Sequence, residues 1–384
     1  MSARRRGNGA PDGVCRWAVV GCGWVARDHF VPGVRASAAG AWGRARVVAA
    51  VDRDADAAAA VSRAAGGVPV HRDIAALLAR GGADAVYVAT PNHAHREVVE
   101  AAAGAGLAVL CEKPLAAGVA DAAAVADACH RAGVVAGTAF DQRFHPAHRA
   151  ARRLVRAGRL GRVTAIRIVY GCWLPPEWSP PGERAGGYDN WRADPARAGG
   201  GAVLDLAPHV LDLAGEVLGR DTVRLSVVPQ RRVHRYPVDD GGLLTAVTGD
   251  GVLVSAHVSY NTRERLPRRR LEIVGTDGQL TATDTMGQEA GGRLELRDAT
   301  GRVARVPFDA VTSPFTAQVR AFSAAVMAGP ADTGRRWAWP LERDLMLHRM
   351  LLAALAEAER PARAAGAPAG GGGHDLLGAE GVTP

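Results

Sequence analysis

The chain has 384 residues, 48% of them hydrophobic and 22% charged, with a formal charge of +8. That length supports two domains with separate cores. The arginines are scattered, without aromatics interleaved in a basic run, and no stretch approaches the ~18 apolar residues of a membrane helix, so neither nucleic acid nor a membrane is an expected partner. The densest basic segment, residues 263–270, reads as a solvated hairpin rim. Cys15, Cys22, Cys111, Cys129 and Cys172 are odd in number and lack metal-ligand spacing, so no metal site is expected. Those in strand-like runs read as buried thiols in a reducing, cytoplasmic setting.

Residues 1–13 are rich in Arg and Gly and read as a disordered start, neither signal peptide nor anchor. Residues 14–20 are an apolar run ending in Gly21-Cys22-Gly23-Trp24-Val25-Ala26. That is G-x-G-x-x-A between a strand and a helix. Gly21 allows the tight turn, Gly23 lets backbone approach a pyrophosphate, and Ala26 permits close helix–strand packing. A Gly- and Ala-rich loop over 37–44 leads to a second strand, 46–51, which ends at Asp52. A carboxylate there accepts from the adenosine ribose hydroxyls, so NAD is the expected cofactor. Arg53 keeps NADP open, since a guanidinium can turn onto a 2′-phosphate. Asp52 could also cap the helix over 55–65.

Strand-like and helix-like segments then alternate through residue 138, which argues for a doubly wound parallel sheet in an α/β domain over 14–140. The strand over 85–89 ends in Thr90-Pro91-Asn92, with His95 opening the next helix, and these four are placed at the cofactor. The strand over 107–111 ends in Glu112-Lys113-Pro114. Lys113 is the one lysine among 47 basic residues, the other 46 (47 − 1) being arginines. A lone lysine in so arginine-rich a chain marks a position where a planar fork will not substitute for a compact ammonium. Pro114 keeps Lys113 extended, just past the carboxyl end of a strand, where open α/β sheets bind ligands.

After residue 140 the pattern changes, and 141–360 reads as a second domain of α+β type. A helix over 145–156 and a strand over 164–171 precede an irregular stretch, 173–201. Its Trp173, Trp178, Tyr188 and Trp191 suit a lid or wall over a polar ligand. Helical periodicity follows over 202–218, where Asp205 and His209 share a face. Pro208 is tolerated in a first turn, which puts the helix start close to Asp205. A carboxylate beside an imidazole fixes its tautomer and raises its basicity, the pairing that proton transfer needs. Seven strand-like segments between 223 and 306, with hairpin signals at Gly249-Asp250-Gly251 and Thr276-Asp277-Gly278, form a mostly antiparallel open sheet. Helices over 313–327 and 341–359 close the fold, and 361–384 reads as a disordered tail.

Together, V-V-G-C-G-W-V-A (19–26), T-P-N-H (90–93), C-E-K-P (111–114) and G-G-G-A-V-L-D-L-A-P-H (199–209) resemble the glucose–fructose oxidoreductase, inositol dehydrogenase and rhizopine-catabolism (Gfo/Idh/MocA) oxidoreductases. Trp24 departs from that pattern, which usually has a smaller residue there. The resemblance implies an NAD(P)-binding Rossmann domain followed by an α+β domain, acting on sugars, inositols or keto-sugars. It implies that Lys113 and His209 meet at the reacting hydroxyl or ketone with Asp205 beside them. Lys113 would polarise the oxygen, His209 would exchange the proton, and Asp205 would orient His209 or bind a neighbouring substrate hydroxyl. Arg143 and Trp191 are candidate substrate contacts. The cofactor side comprises Gly21, Gly23, Trp24, Val25, Ala26, Asp52, Arg53, Thr90, Pro91, Asn92, His95, Glu112 and Lys113. A homodimer or homotetramer joined through the second sheet is expected. Redox-neutral sugar chemistry with tightly held NAD, or a regulator that only binds cofactor, are the competing readings.

Overall fold

The computed structural model describes residues 13–180, 188–329 and 336–360. Both segments expected to be disordered lie outside these apart from Gly13, as do residues 181–187 within the aromatic-rich stretch. The first domain alternates as expected: β1 (Cys15–Val20), α1 (Val31–Ser37), β2 (Ala45–Val51), α2 (Ala55–Ala64), β3 (Val70–His71), α3 (Ile74–Arg80), β4 (Ala85–Val88), α4 (His95–Gly104), β5 (Ala108–Cys111), α5 (Val119–Ala132) and β6 (Ala136–Thr138). A five-residue π-helical turn, Ala26–Phe30, leads into α1. All six strands are parallel, in the order β3-β2-β1-β4-β5-β6. The four residues of β5, A-V-L-C, are buried because helices cover both faces of the sheet. Strand order reverses between β1 and β4, and ligands bind in the crevice at such a switch point.

The second part contains α6 (Pro146–Arg156), β7 (Val163–Gly171), the short α7 (Pro195–Ala198), α8 (Ala202–Leu218), β8 (Thr222–Gln230), β9 (Gly241–Thr248), β10 (Leu253–Ser259), β11 (Arg269–Gly275), β12 (Gly278–Thr283), β13 (Arg293–Asp298) and β14 (Val303–Arg305). Two helices follow, α9 (Pro314–Ala328) and α10 (Leu341–Ala358). The eight strands lie in the order β14-β13-β12-β11-β7-β10-β9-β8, antiparallel except where β7 meets β10. Alternation decides which face is buried. Val227, Leu244, Ala256, Ile168, Leu271 and Ala282 are cross-strand neighbours and pack with α8 in one core. On the opposite face Val228, Leu243 and Leu253 remain 67%, 56% and 59% exposed.

Two local findings depart from the sequence reading. Helix α8 begins at Ala202, so Pro208 sits in its second turn and leaves the Leu204 carbonyl without an intrahelical donor. The start is moved back by Asp239, whose carboxylate accepts from the Gly201 and Val203 amides at 3.1 and 2.7 Å. Helix α9 covers the first sheet: Phe315, Val319 and Phe322 pack with Trp17 and Phe30, and Trp17 Nε1 donates to Ser323 Oγ at 3.0 Å. The segment expected to form only the second domain therefore supplies part of the first domain's core. Helix α10 spans both cores, with Leu345 in the first domain and Leu351 against the second sheet.

Candidate active site

The dinucleotide edge is built by the glycine turn after β1. Gly21 has φ +91°, and a side chain there would strike the backbone of Ala89 and Thr90. A Cβ at Gly23 would meet nothing within 4 Å, so that backbone faces open space a phosphate can occupy. Ala26 is fully buried against the sheet, the close approach its size allows. Asp52 accepts from the Cys22 amide at 2.7 Å and from the Asp54 amide at 3.0 Å, tying the glycine turn to the end of β2. The cap of α2 is Asp54, not Asp52. Arg53 is exposed beside it. These features fit a nicotinamide dinucleotide: an open phosphate cradle, and a carboxylate at the end of β2 where a ribose would lie.

Further along the strand ends, Trp24, Val25, Thr90, Asn92, Glu112 and Lys113 line one cleft of about 560 Å³. Trp24 packs edge-on against Trp178 at 5.8 Å, and its buried indole N–H has no acceptor among the described residues. Asn92 donates to the Ala198 carbonyl at 2.8 Å, linking the two domains. Pro91 lies between Thr90 and Asn92 and precedes the 3₁₀ turn Asn92–Ala94. His95 is corrected. It is fully buried, its ring nitrogens lie 2.9 Å from the Thr90 carbonyl and 3.3 Å from that of Leu115, and it braces two strand-end loops without reaching the cleft. Tyr87 donates to Glu112 Oε1 at 2.5 Å, and burial pushes the Glu112 carboxyl up.

Lys113, the chain's one lysine, ends in the middle of the cleft. Its Nζ donates to Asp205 Oδ1 at 2.5 Å and to the Asp205 carbonyl at 3.0 Å. Tyr260 donates to Asp205 Oδ2 at 2.7 Å. Burial alone would raise the Asp205 carboxyl, but the charges of Lys113 and then Arg192 hold it well below the usual range. His209 lies one helical turn on, 4% exposed, with its ring edge-on to Tyr170 at 5.7 Å. Burial, and then the Lys113 charge, push it down to about 3, so the ring is neutral at neutral pH. The expected Asp205–His209 pair is thus corrected: Asp205 spends both oxygens on Lys113 and Tyr260. The carboxylate nearest the imidazole is Asp141, with Oδ1 3.6 Å from Nδ1. That is too long for a hydrogen bond, and Nδ1 is buried without a partner among the described residues. Burial and then the Glu112 charge push Asp141 up to about 7.

Arg143 is also corrected. It is buried, and its guanidinium binds both Asp212 oxygens at 2.7–2.9 Å and Asp344 Oδ1 at 2.5 Å, further along α8 than the residues that line the cleft. The 3₁₀ turn Asp141–Phe144 explains the exchange, since at three residues per turn Asp141 faces the cleft while Arg143 points away. Trp191 does line the cleft, as do Trp173 and Trp178. Sequence reasoning missed Asp141, Tyr260 and Arg192. It also placed 263–270 at a solvated rim, whereas Arg268 and Arg269 line the cleft.

A glycine-turn Rossmann sheet facing a buried Lys/Asp/His cluster across one cleft defines a nicotinamide-dependent oxidoreductase. Residues 15–140 match the model of the oxidoreductase family with an NAD-binding Rossmann fold, and 148–281 match that of the GFO/IDH/MocA C-terminal domain. The chain is 32% identical to 1,5-anhydro-D-fructose reductase of Ensifer adhaerens, over 86% of this chain and 94% of that protein. It is 33% identical to D-xylose 1-dehydrogenase (NADP(+)) 2 of Haloferax volcanii, over 82% and 89%. The fold matches the crystal structure of aldose-aldose oxidoreductase from Caulobacter crescentus, complexed with glycerol, with a TM-score of 0.76 at 24% identity over 90% and 97% of the two chains. The chain belongs to the Gfo/Idh/MocA oxidoreductases, and it is an NAD(P)-dependent enzyme.

Proposed function

We propose that the enzyme interconverts a hydroxyl and a ketone (or lactone) on a sugar or cyclitol, by hydride transfer with NAD. The observation that carries this reading is the Lys113 ammonium, clamped by Asp205 beside a neutral His209 in the cleft at the strand ends. An ammonium has three N–H donors, and two are spent on Asp205. The third is free to bind the substrate oxygen and to stabilise negative charge as the O–H proton leaves. The His209 ring, neutral in the free enzyme, accepts that proton on oxidation as the negative charge forming on the substrate oxygen offsets the Lys113 charge that helps hold its basicity down, and it returns the proton on reduction. When bound, the nicotinamide takes or gives the hydride at the same carbon, so oxidation yields a ketone, a reduced cofactor and one proton. Tyr260 holds Asp205 in place. Resemblance to reductases and dehydrogenases of anhydrofructose and xylose supports a sugar substrate. The test is reduced-nicotinamide absorbance with purified enzyme, NAD and a panel of aldoses, polyols and cyclitols. No absorbance change with any of them, in either direction, would overturn the reading.

NAD is the proposed preference because Asp52 would repel a 2′-phosphate. Tighter NADP than NAD binding by the wild-type protein would contradict it, and Asp52→Ala should narrow the gap. The exposed apolar residues on the outer face of the second sheet support a homodimer or homotetramer buried there. A monomer mass by light scattering at micromolar concentration would count against that assembly.

A further inference from the structure

The buried Arg143 and the half-buried Arg343 and Arg16 all end on carboxylates. Arg143 meets Asp212 and Asp344, Arg343 meets Asp212 and Asp221, and Arg16 meets Asp84. One wall of the cleft breaks that pattern. Arg192 stacks on Trp191 with its guanidinium carbon 4.4 Å from the ring centroid, and its one hydrogen bond among the described residues goes to the Tyr188 hydroxyl at 3.1 Å. Arg269 makes no ion pair among the described residues. Its Nε is buried without an acceptor, and its guanidinium occupies the space that the missing side chain of Gly287 leaves open. Arg268 lies 3.6 Å from Glu264, which is itself 77% exposed and so a weak partner.

The three guanidinium groups and Cys172 line the same cleft. Consistent with that placement, burial and Asp205 push the Cys172 thiol up to about 12, while Arg269, Arg268 and Arg192 all pull it back. Asp205 brings one negative charge, which Lys113 and then Arg192 already share, so it does not balance all three guanidinium groups. Taking guanidinium groups out of water without a counter-charge is costly, so a group absent from the chain is the natural partner. A guanidinium fork matches the paired oxygens of a carboxylate or phosphate. Arg269 is the cross-strand neighbour of Tyr170, whose ring lies 5.7 Å from His209. The anion pocket and the proton-transfer group are therefore within reach of one small molecule.

We propose that the substrate is an acidic sugar or cyclitol, whose carboxylate or phosphate is bound by Arg269 and Arg268 with Arg192 beside them. The proposal rests on the hydride-transfer reading, and a binding measurement separates the two. Hexoses and pentoses, each alongside its uronate and its terminal phosphate, are titrated calorimetrically into the NAD-bound enzyme. At least one acid should bind tenfold or more tighter than its neutral parent, and the uronate and phosphate arms tell which anion fits. Arg269→Gln should cut that ratio by roughly ten- to hundredfold. Arg270→Gln, on the outer face of the sheet beside Glu272, should leave it unchanged. If Arg269→Gln melts early, Arg268→Gln and Arg269→Lys carry the test, the first lowering the ratio and the second largely keeping it. Acids that bind no tighter than their neutral parents would overturn the anion site, as would an Arg269→Gln enzyme that loses NAD rather than the acid. Tight, arginine-dependent acid binding without any nicotinamide absorbance change would keep the anion site and sink the hydride-transfer reading.

Discussion

Asp205 and Asp212 of helix α8 lie about two turns apart, and they sit in opposite circumstances. Asp212 is fully buried and saturated: Arg143 takes both its oxygens, Arg343 adds another contact at 2.6 Å, and Asp344 completes the network. Asp205 is also held by a cation, but its cluster opens on the cleft. There the ammonium keeps a free donor, and the His209 Nδ1 has no partner among the described residues. The residue types are similar and the helix is the same. The difference is that packing surrounds both Asp212 oxygens with guanidinium donors inside the core, leaving only Arg143 Nη1 without a partner among the described residues, whereas the Asp205 cluster opens on the cleft. A saturated buried cluster holds elements together, whereas an unsaturated one is poised to take a substrate group.

Breaking the closed cluster should show the largest effect on the fold. Arg143→Ala strands Asp212 and Asp344 and should cost roughly 3–5 kcal/mol in urea denaturation. A loss below about 1 kcal/mol would mean that this network is not the structural one. Breaking the open cluster should instead spare the fold and stop the chemistry. His209→Ala should lower kcat by roughly 10²–10⁴-fold. Lys113→Arg keeps the charge but swings a bulky fork into the site, and should cost about a hundredfold in kcat with little change in NAD affinity. The double variant should lose less than the product of the two, since the groups act on one substrate oxygen. Near-normal turnover by Lys113→Arg, with a substrate the wild type uses, would show that the site needs only a positive charge at that position.

The smallest effect is in acid stability. His209 is pushed down from 6.5 to about 3 in the folded protein. The unfolded chain therefore takes up a proton below pH 6.5 that the folded ring refuses, and the stability present above 6.5 is lost as pH falls toward 3. Asp141 works in the opposite direction. Raised from 3.8 to about 7, it contributes stability at low pH that is lost as pH rises through 7. Comparing wild type with His209→Ala cancels the Asp141 contribution common to both. The variant should lose less stability between pH 7 and pH 5, by at most about 2 kcal/mol. Parallel urea midpoints at the two pH values would show that the ring is not held neutral by burial.

Much of the first domain was legible because its constraints are local. Gly21 is required by a positive φ and a close backbone approach, and β5 by four apolar residues that must be covered on both faces. Lys113 stood out by composition alone. The seven later strands were found near their observed positions, since alternation and tight turns are written into short segments. The order of those strands in the sheet was not, because pairing joins residues far apart in the chain.

The sequence by itself determined the dinucleotide turn and the doubly wound sheet, because each follows from backbone sterics or short-range patterning, and it singled out Lys113, Asp205 and His209 as the residues proposed to react. Tertiary structure decided who partners whom. Asp205 went to Lys113 and Tyr260, Asp141 replaced Arg143 at the cleft, and Arg268 and Arg269 turned inward from what looked like a solvated rim. Those choices depend on which side chains a closed core leaves unpaired, and the Asp205–Tyr260 and Lys113–Asp205 contacts span 55 and 92 residues of chain. Desolvation, which sets the proton affinities of His209 and Asp141, exists only once that packing is complete.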